Sequence, residues 1–163
     1  MRAATLFAGL MTGLLLASLA TRAEDGPFPP PAETILARKA LMNAINNSMD
    51  EIETILPLGA KNESVEAREH ADLISVLLMA FPHLFPPATN QWKEGADRDV
   101  AVDTYASPEL WRQFPDFYAR ANAASKIALE ASRAANRADF QARIAELRAA
   151  CNGCHVAYQK TGQ

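Results

Sequence analysis

Residues 138–160 read "ADFQARIAELRAACNGCHVAYQK". Phe140, Ile144, Leu147, Cys151, Cys154 and Tyr158 recur there at alternating steps of four and three. That spacing is one face of an α-helix beginning near Asp139, and the two cysteines continue its apolar stripe. No other cysteine occurs in the 163 residues, and His155 directly follows the second. Two thiols and an imidazole therefore stand where a helix meets its core, and their meaning depends on what that core is.

Three further segments keep the same rhythm. Ile35, Met42, Ile45, Met49, Ile52 and Leu56 mark a helix from Thr34 that should stop near Pro57-Leu58-Gly59. Arg38 fills the one slot of this stripe that is not apolar. A second helix is predicted from about Ser64, a candidate cap, to Ala80, and its second half, "LISVLLMAF", is apolar nearly all round. "PHLFPPATNQW" (82–92) holds three prolines and reads as an irregular connection. The third helix opens at "SPELW" (107–111), with Ser107 as N-cap and Pro108 at the first helical position. Leu110, Phe114, Phe117, Ala121, Ala124, Ala128 and Ala131 carry its stripe, and Pro115 is placed to kink or restart it. Four helical stretches without a convincing strand make an all-α, antiparallel four-helix bundle over 34–160 the expected fold. No internal repeat, phosphate-binding glycine loop or nucleophile elbow interrupts it.

The composition, 49% hydrophobic and 21% charged, suits one compact domain. Ahead of it, Arg2 precedes an 18-residue run, "AATLFAGLMTGLLLASLA", that ends in small residues. This is the layout of a secretory signal peptide, cleaved after Ala20 or Ala23. A membrane anchor is the alternative, but the run is marginal in length and contains Gly, Thr and Ser. The expected organisation is a signal peptide over 1–23, a Pro-rich leader over 24–33, and then the bundle, exported to the periplasm with no stable membrane anchor. Losing Arg2 and Arg22 leaves 14 basic against 19 acidic residues, a net charge near −5, so no basic face invites nucleic acid. The sequons at Asn46 and Asn62 read as chance.

C-x-x-C-H has a specific chemical logic. Two thiols one helical turn apart can add across both vinyl groups of a haem, and the next side chain then serves as an axial nitrogen ligand. One covalent haem c per chain, on Cys151 and Cys154 with His155 on the iron, is the expected cofactor. Three rivals stay open at this point. A disulfide gives His155 no role and more often sits at a helix start. Zinc wants about four ligands, whereas the other histidines are His70 and His83, both read as surface or loop residues. A chance pair of core cysteines beside an exposed histidine is the third.

On these residues the chain resembles the class II c-type cytochromes, the cytochrome c′ family, over about 33–160. The resemblance rests on "ILARKALMNAI" in the first helix, on "SPELW" followed by "FPDFYARANAAS", and on "AACNGCHVAY" near the end. One position departs from the family pattern: a basic residue commonly follows the aromatic three places after the histidine, but Gln159 stands there, with Lys160 next. The resemblance implies that the distal side of the haem meets the residue four places after the first-helix arginine, here Met42. In the c′ proper an apolar residue closes that side and the iron is five-coordinate; in low-spin relatives a methionine ligates it. Periodicity alone makes Met42 core filler, for which methionine is well suited. Met49 lies about 10 Å further along the helix, too far to replace Met42 without moving the haem.

A buried, unpaired arginine is costly, so Arg38 needs an anion, and a haem propionate is the natural one. The alternative puts the Arg38 head in solvent at the bundle end. Trp111, Phe114 and Phe117 are expected to line the haem pocket or the core beside it. The functional expectation is a non-enzymatic electron carrier with His155 proximal and Met42 distal, meeting redox partner proteins through small, transient contacts. The alternative is a five-coordinate cytochrome c′ that binds NO or CO in an apolar distal pocket. A homodimer is compatible with the mixed polarity of the first helix.

Overall fold

The computed structural model describes residues 29–57, 61–93, 99 and 103–160. The expected signal peptide and most of the expected leader lie outside the described residues. The chain forms α1 (Pro31–Ile55), α2 (Lys61–Ala80), two 3-10 turns (Phe81–Leu84 and Pro87–Thr89), a single turn α3 (Glu109–Arg112), α4 (Phe114–Ser132) and α5 (Arg137–Tyr158). The four long helices are the expected bundle. α1 packs on α2, α2 on α4 and α4 on α5, while α1 and α5 share the core at one end of the bundle and face one another across a cavity at the other.

The main core follows the stripes. Ile45, Met49, Ile52 and Ile55 of α1 meet Ala67, Ala71, Ile74 and Leu78 of α2, Ala124, Ala128 and Ala131 of α4, and Phe140, Ile144 and Leu147 of α5. Alanine along α4 lets its backbone come close to α2, because interaxial distance is set by side-chain size at the contact. A buried hydrogen bond from Ser125 Oγ to the Ser75 carbonyl, 2.8 Å, fixes the register of the two helices. Arginines satisfy helix-end carbonyls across the bundle: Arg68 of α2 reaches the carbonyls of Ser132 and Ala134, and Arg137 of α5 reaches that of Leu56.

Helix boundaries depart from the expected ones for local reasons. α1 begins at Pro31, three residues early, since proline is tolerated in a first turn. α2 begins at Lys61, so Ser64 lies inside it and not at its cap. α5 begins at Arg137, with the Asn136 side chain accepting from the Asp139 N–H at 3.0 Å. The third predicted helix breaks at Gln113 (φ −118°, ψ 34°), and Pro115 restarts it as the second residue of α4. Ser107 is not the N-cap. Its N–H donates to the Tyr158 carbonyl at 2.9 Å, Pro108 takes the cap position, and Ser107 Oγ is buried with no hydrogen-bond partner among the described residues.

Of the described residues between α2 and α3, Phe81, Phe85, Thr104, Tyr105 and Ala106 stand at the open end and line the cavity there. Phe85, Leu110, Phe117 and Tyr158 form a second, aromatic cluster there, with Phe81, Trp111, Phe114 and Cys154 against it. The Lys160 N–H also donates to the Tyr105 carbonyl at 2.8 Å, so the residues just after α5 are paired with residues 105–107. No helix among the described residues is long and apolar enough to cross a membrane.

Candidate haem-binding site

Cys151, Cys154 and His155 line one wall of a cavity of about 390 Å³ between α5 and α1. Met42 and Arg38 line the same cavity from α1, so all five site residues read from the sequence converge on one space. That volume falls in the usual range for small-molecule and cofactor sites. Much of the remaining lining is apolar, supplied by Met49, Leu78, Phe81, Phe85, Leu110 and Phe117. Of the aromatic residues expected near the haem, Phe117 reaches the cavity. Trp111 and Phe114 pack in the aromatic cluster behind it, Trp111 donating from Nε1 to the Phe85 carbonyl at 3.1 Å. His70 and His83 stand away from it; His83 is exposed, edge-on to Tyr118.

Arg38 is neither at a solvent-facing bundle end nor, among the described residues, beside a carboxylate. It is 4% exposed. Nη1 donates to Thr89 Oγ1 at 2.9 Å and Nη2 to the Thr89 carbonyl at 3.3 Å, with a further bond from Nη2 to Thr104 Oγ1. The guanidinium carbon stands 4.6 Å from the Phe85 ring centre and 5.6 Å from that of Trp111. Burial lowers its pKa to about 10, which leaves it charged at neutral pH. Three bonds occupy only part of its five N–H groups, so donors remain for an anion.

The cavity holds three more cations that sequence reading passed over. Lys39, Arg120 and Arg148 line it, and no carboxylate does so among the described residues. Each has a partner: Lys39 donates to the Asp103 carbonyl, Arg120 pairs with Asp116 at 2.6 Å, and Arg148 pairs with Glu53 at 2.8 Å and Asp50 at 3.8 Å. In a chain of net negative charge, a cavity walled by apolar groups and four cations suits a flat apolar ligand with acidic substituents.

The thiol chemistry points the same way. Burial raises the pKa of Cys151, and raises that of Cys154 to about 11. Both are therefore thiols at neutral pH, unlike the low-pKa thiolate of a disulfide oxidoreductase. Desolvation, with Arg148 nearby, lowers the His155 pKa and favours the neutral imidazole, the form that ligates metal. Among the described residues no three His, Cys, Asp or Glu side chains converge as a zinc site would need. The donor set thus fits a covalent haem: two thiols one turn apart, a neutral imidazole beside them and cations for the propionates.

A family model for cytochrome c′ matches residues 33–159. The chain belongs to the cytochrome c′ family. This family binds haem c covalently through a cysteine pair near the C-terminus, which here is Cys151 and Cys154. Among solved structures, cytochrome c′ from Rubrivivax gelatinosus is 25% identical, with a TM-score of 0.66 over 82% of this chain and 99% of that one. Cytochrome c′ from Thermochromatium tepidum is 23% identical, with a TM-score of 0.68 over 82% and 98%. A nitric oxide complex of the L16I mutant of cytochrome c′ from Alcaligenes xylosoxidans is 20% identical, with a TM-score of 0.66 over 82% and 99%. No curated protein sequence matches the chain.

Proposed function

We propose that this cytochrome c′ is an exported haem protein that takes up a small uncharged diatomic such as NO or CO on the side of the haem facing α1. The observation that carries the reading is the cavity wall opposite Cys151 and Cys154. There Met42, Met49, Leu78, Phe81 and Phe85 offer apolar surface; of the polar α1 side chains beside them, Arg38 is engaged by Thr89 and Thr104 and Lys39 by the Asp103 carbonyl, while Asn43 and Asn46 also line the cavity. His155 is the proximal ligand from α5, and the donors of Arg38 not used by the threonines serve a propionate. When bound, the haem would supply an iron that cycles between two oxidation states and can take up a diatomic. The protein orients it through two thioether links and excludes water with the aromatic cluster. Family membership supports this reading over an electron carrier closed on both sides.

The second reading, an electron carrier with Met42 as sulfur ligand, is favoured by one observation. Met42 is half-buried and lines the cavity four residues after Arg38. Optical spectra of the oxidised, reduced and CO-treated protein decide between the two. A high-spin ferric spectrum with ready formation of a CO adduct is expected. A low-spin spectrum with a sulfur-to-iron charge-transfer band, converted to high-spin by Met42→Leu, would establish the second reading instead.

The signal peptide, residues 1–23, sends the mature chain to the periplasm, where redox partner proteins reduce or oxidise it. Self-association is part of the proposal. α2 leaves Leu73, Val76 and Met79 exposed, and α1 leaves Leu36 exposed, an apolar surface that a second copy would cover. One similar cytochrome c′ is described as having a ligand-controlled dimer dissociation. Sedimentation of the haem-loaded protein with and without CO tests for a dimer.

A further inference from the structure

The cations of the cavity differ in where their partners lie. Arg148 is offset by two carboxylates of α1, Lys39 by a carbonyl and Arg38 by threonines. Arg120 is held from the side away from the cavity. Its Nε donates to Asp116 Oδ2 at 2.6 Å, and Asp116, one turn earlier on α4, is not among the residues lining the cavity. The same Oδ2 accepts a hydrogen bond from the Tyr158 hydroxyl. Tyr158 is itself immobilised: its ring stands edge-on to Phe117 at 5.7 Å, and its carbonyl is taken by the Ser107 N–H. The phenol fixes the carboxylate and the carboxylate fixes the guanidinium. Ordinary exposed i,i+4 ion pairs lack such a third member and keep little fixed geometry.

We propose that Arg120 is the cavity-facing positive end of a fixed dipole, held by Asp116 and Tyr158, that favours the reduced form of the group attached at Cys154. This rests on the haem reading above. The physical reason is direct. Reduction adds one negative charge to the cavity, and a cation at its wall stabilises that state more than the oxidised one. Arg120 is half exposed, so solvent and salt screen the effect without removing it. Arg120 is thus a positioning charge beside the α5 wall, on the side where Gln159 replaces the basic residue the family pattern leads one to expect.

The experiment is a redox titration of the haem-loaded protein and its Arg120→Gln, Asp116→Asn and Arg120→Lys variants. Arg120→Gln should lower the ferrous-to-ferric ratio at a fixed ambient potential two- to fivefold, about 20–40 mV for a one-electron couple. Asp116→Asn removes the negative end of the dipole and should shift the ratio the opposite way. Arg120→Lys keeps the charge and should stay nearer the wild type. All shifts should shrink as ionic strength rises. Opposite signs support the dipole, because a merely structural role would destabilise both variants without giving their potentials opposite signs. Unchanged potentials, or shifts of one sign, overturn it. Failure of the haem reading would appear separately, as wild-type protein with no haem retained after acid-acetone extraction.

Discussion

At one end of the bundle, Ile52 and Ile55 of α1 meet Ala67 and Ala71 of α2, Ala128 and Ala131 of α4, and Phe140 and Ile144 of α5. At the other end the same helices stand apart, and Arg38, Met42, Arg120, Cys151 and Cys154 face one another across a cavity. The first end is aliphatic and alanine-rich; the second is aromatic and carries cations on its walls. An apolar stripe keeps its period through both, so period alone does not distinguish core from site. The residues that break chemical type within the stripe do so, and the arginine in α1 and the cysteines in α5 all fall at the open end.

Removing the cysteines should give the largest effect at that end. The double variant Cys151→Ser, Cys154→Ser should lose covalent haem entirely, read as complete extraction of haem into acid-acetone. The closed end should answer in stability alone. Ile52, fully buried, should cost about 3–4 kcal/mol when changed to alanine, with no change in the visible spectrum of the folded protein. Arg38→Ala links the two responses. It removes the buried hydrogen bonds to Thr89 and Thr104, while Thr104 Oγ1 still accepts from the Ala106 N–H and Thr89 Oγ1 still donates to the Pro86 carbonyl, so the cost should be about 1–2 kcal/mol in denaturant melts. Unlike Ile52→Ala, it should also alter the rate of CO binding, because it frees Thr89 and Thr104, whose neighbours Phe85, Tyr105 and Ala106 line the cavity.

The smallest expected effect is on acid stability. The Tyr158 hydroxyl and Arg120 hold the Asp116 carboxyl below its ordinary range. A depressed carboxylate pKa contributes stability that is fully present above the unfolded value, about 4, and is lost as pH falls through the lowered folded value. Tyr158→Phe weakens that depression, so its acid-unfolding midpoint should move to a higher pH than that of the wild type. An unchanged midpoint would mean that Arg120 alone sets the Asp116 environment.

Much of this was legible in the sequence. The stripe from Leu110 of α3 to Ala131 of α4, the restart at Pro115 and the inward cysteines all follow from spacing, because each depends on neighbours three or four residues away. What escaped depends on distant neighbours. Thr89 and Thr104 lie 51 and 66 residues from Arg38, and nothing local marks them as its partners. Arg120 and Asp116 look like a solvent-exposed i,i+4 pair, and only the packing of α5 brings Tyr158 and the cavity to them. Arg148, on α5 three residues before Cys151, carried a signal: a cation one turn from a thiol on an inward stripe. The Asn136 cap was equally readable, as an asparagine three residues before the Asp139 whose N–H it accepts.

The pairing of residues 105–107 with 158–160 has a consequence for the order in which the molecule assembles. Ser107 and Tyr158 are 51 residues apart, and closing a flexible loop of that length costs about 3.5 kcal/mol of chain entropy beyond a constant. Two backbone bonds do not offset that cost; it falls only once α4 and α5 have docked and shortened the effective loop. The segment over the cavity therefore settles last, which leaves Cys151 and Cys154 approachable while the helices are already gathered. The Ser107 and Lys160 amides should accordingly exchange with solvent sooner than those of Ile52 or Leu147, making this seam the first part of the native fold to open.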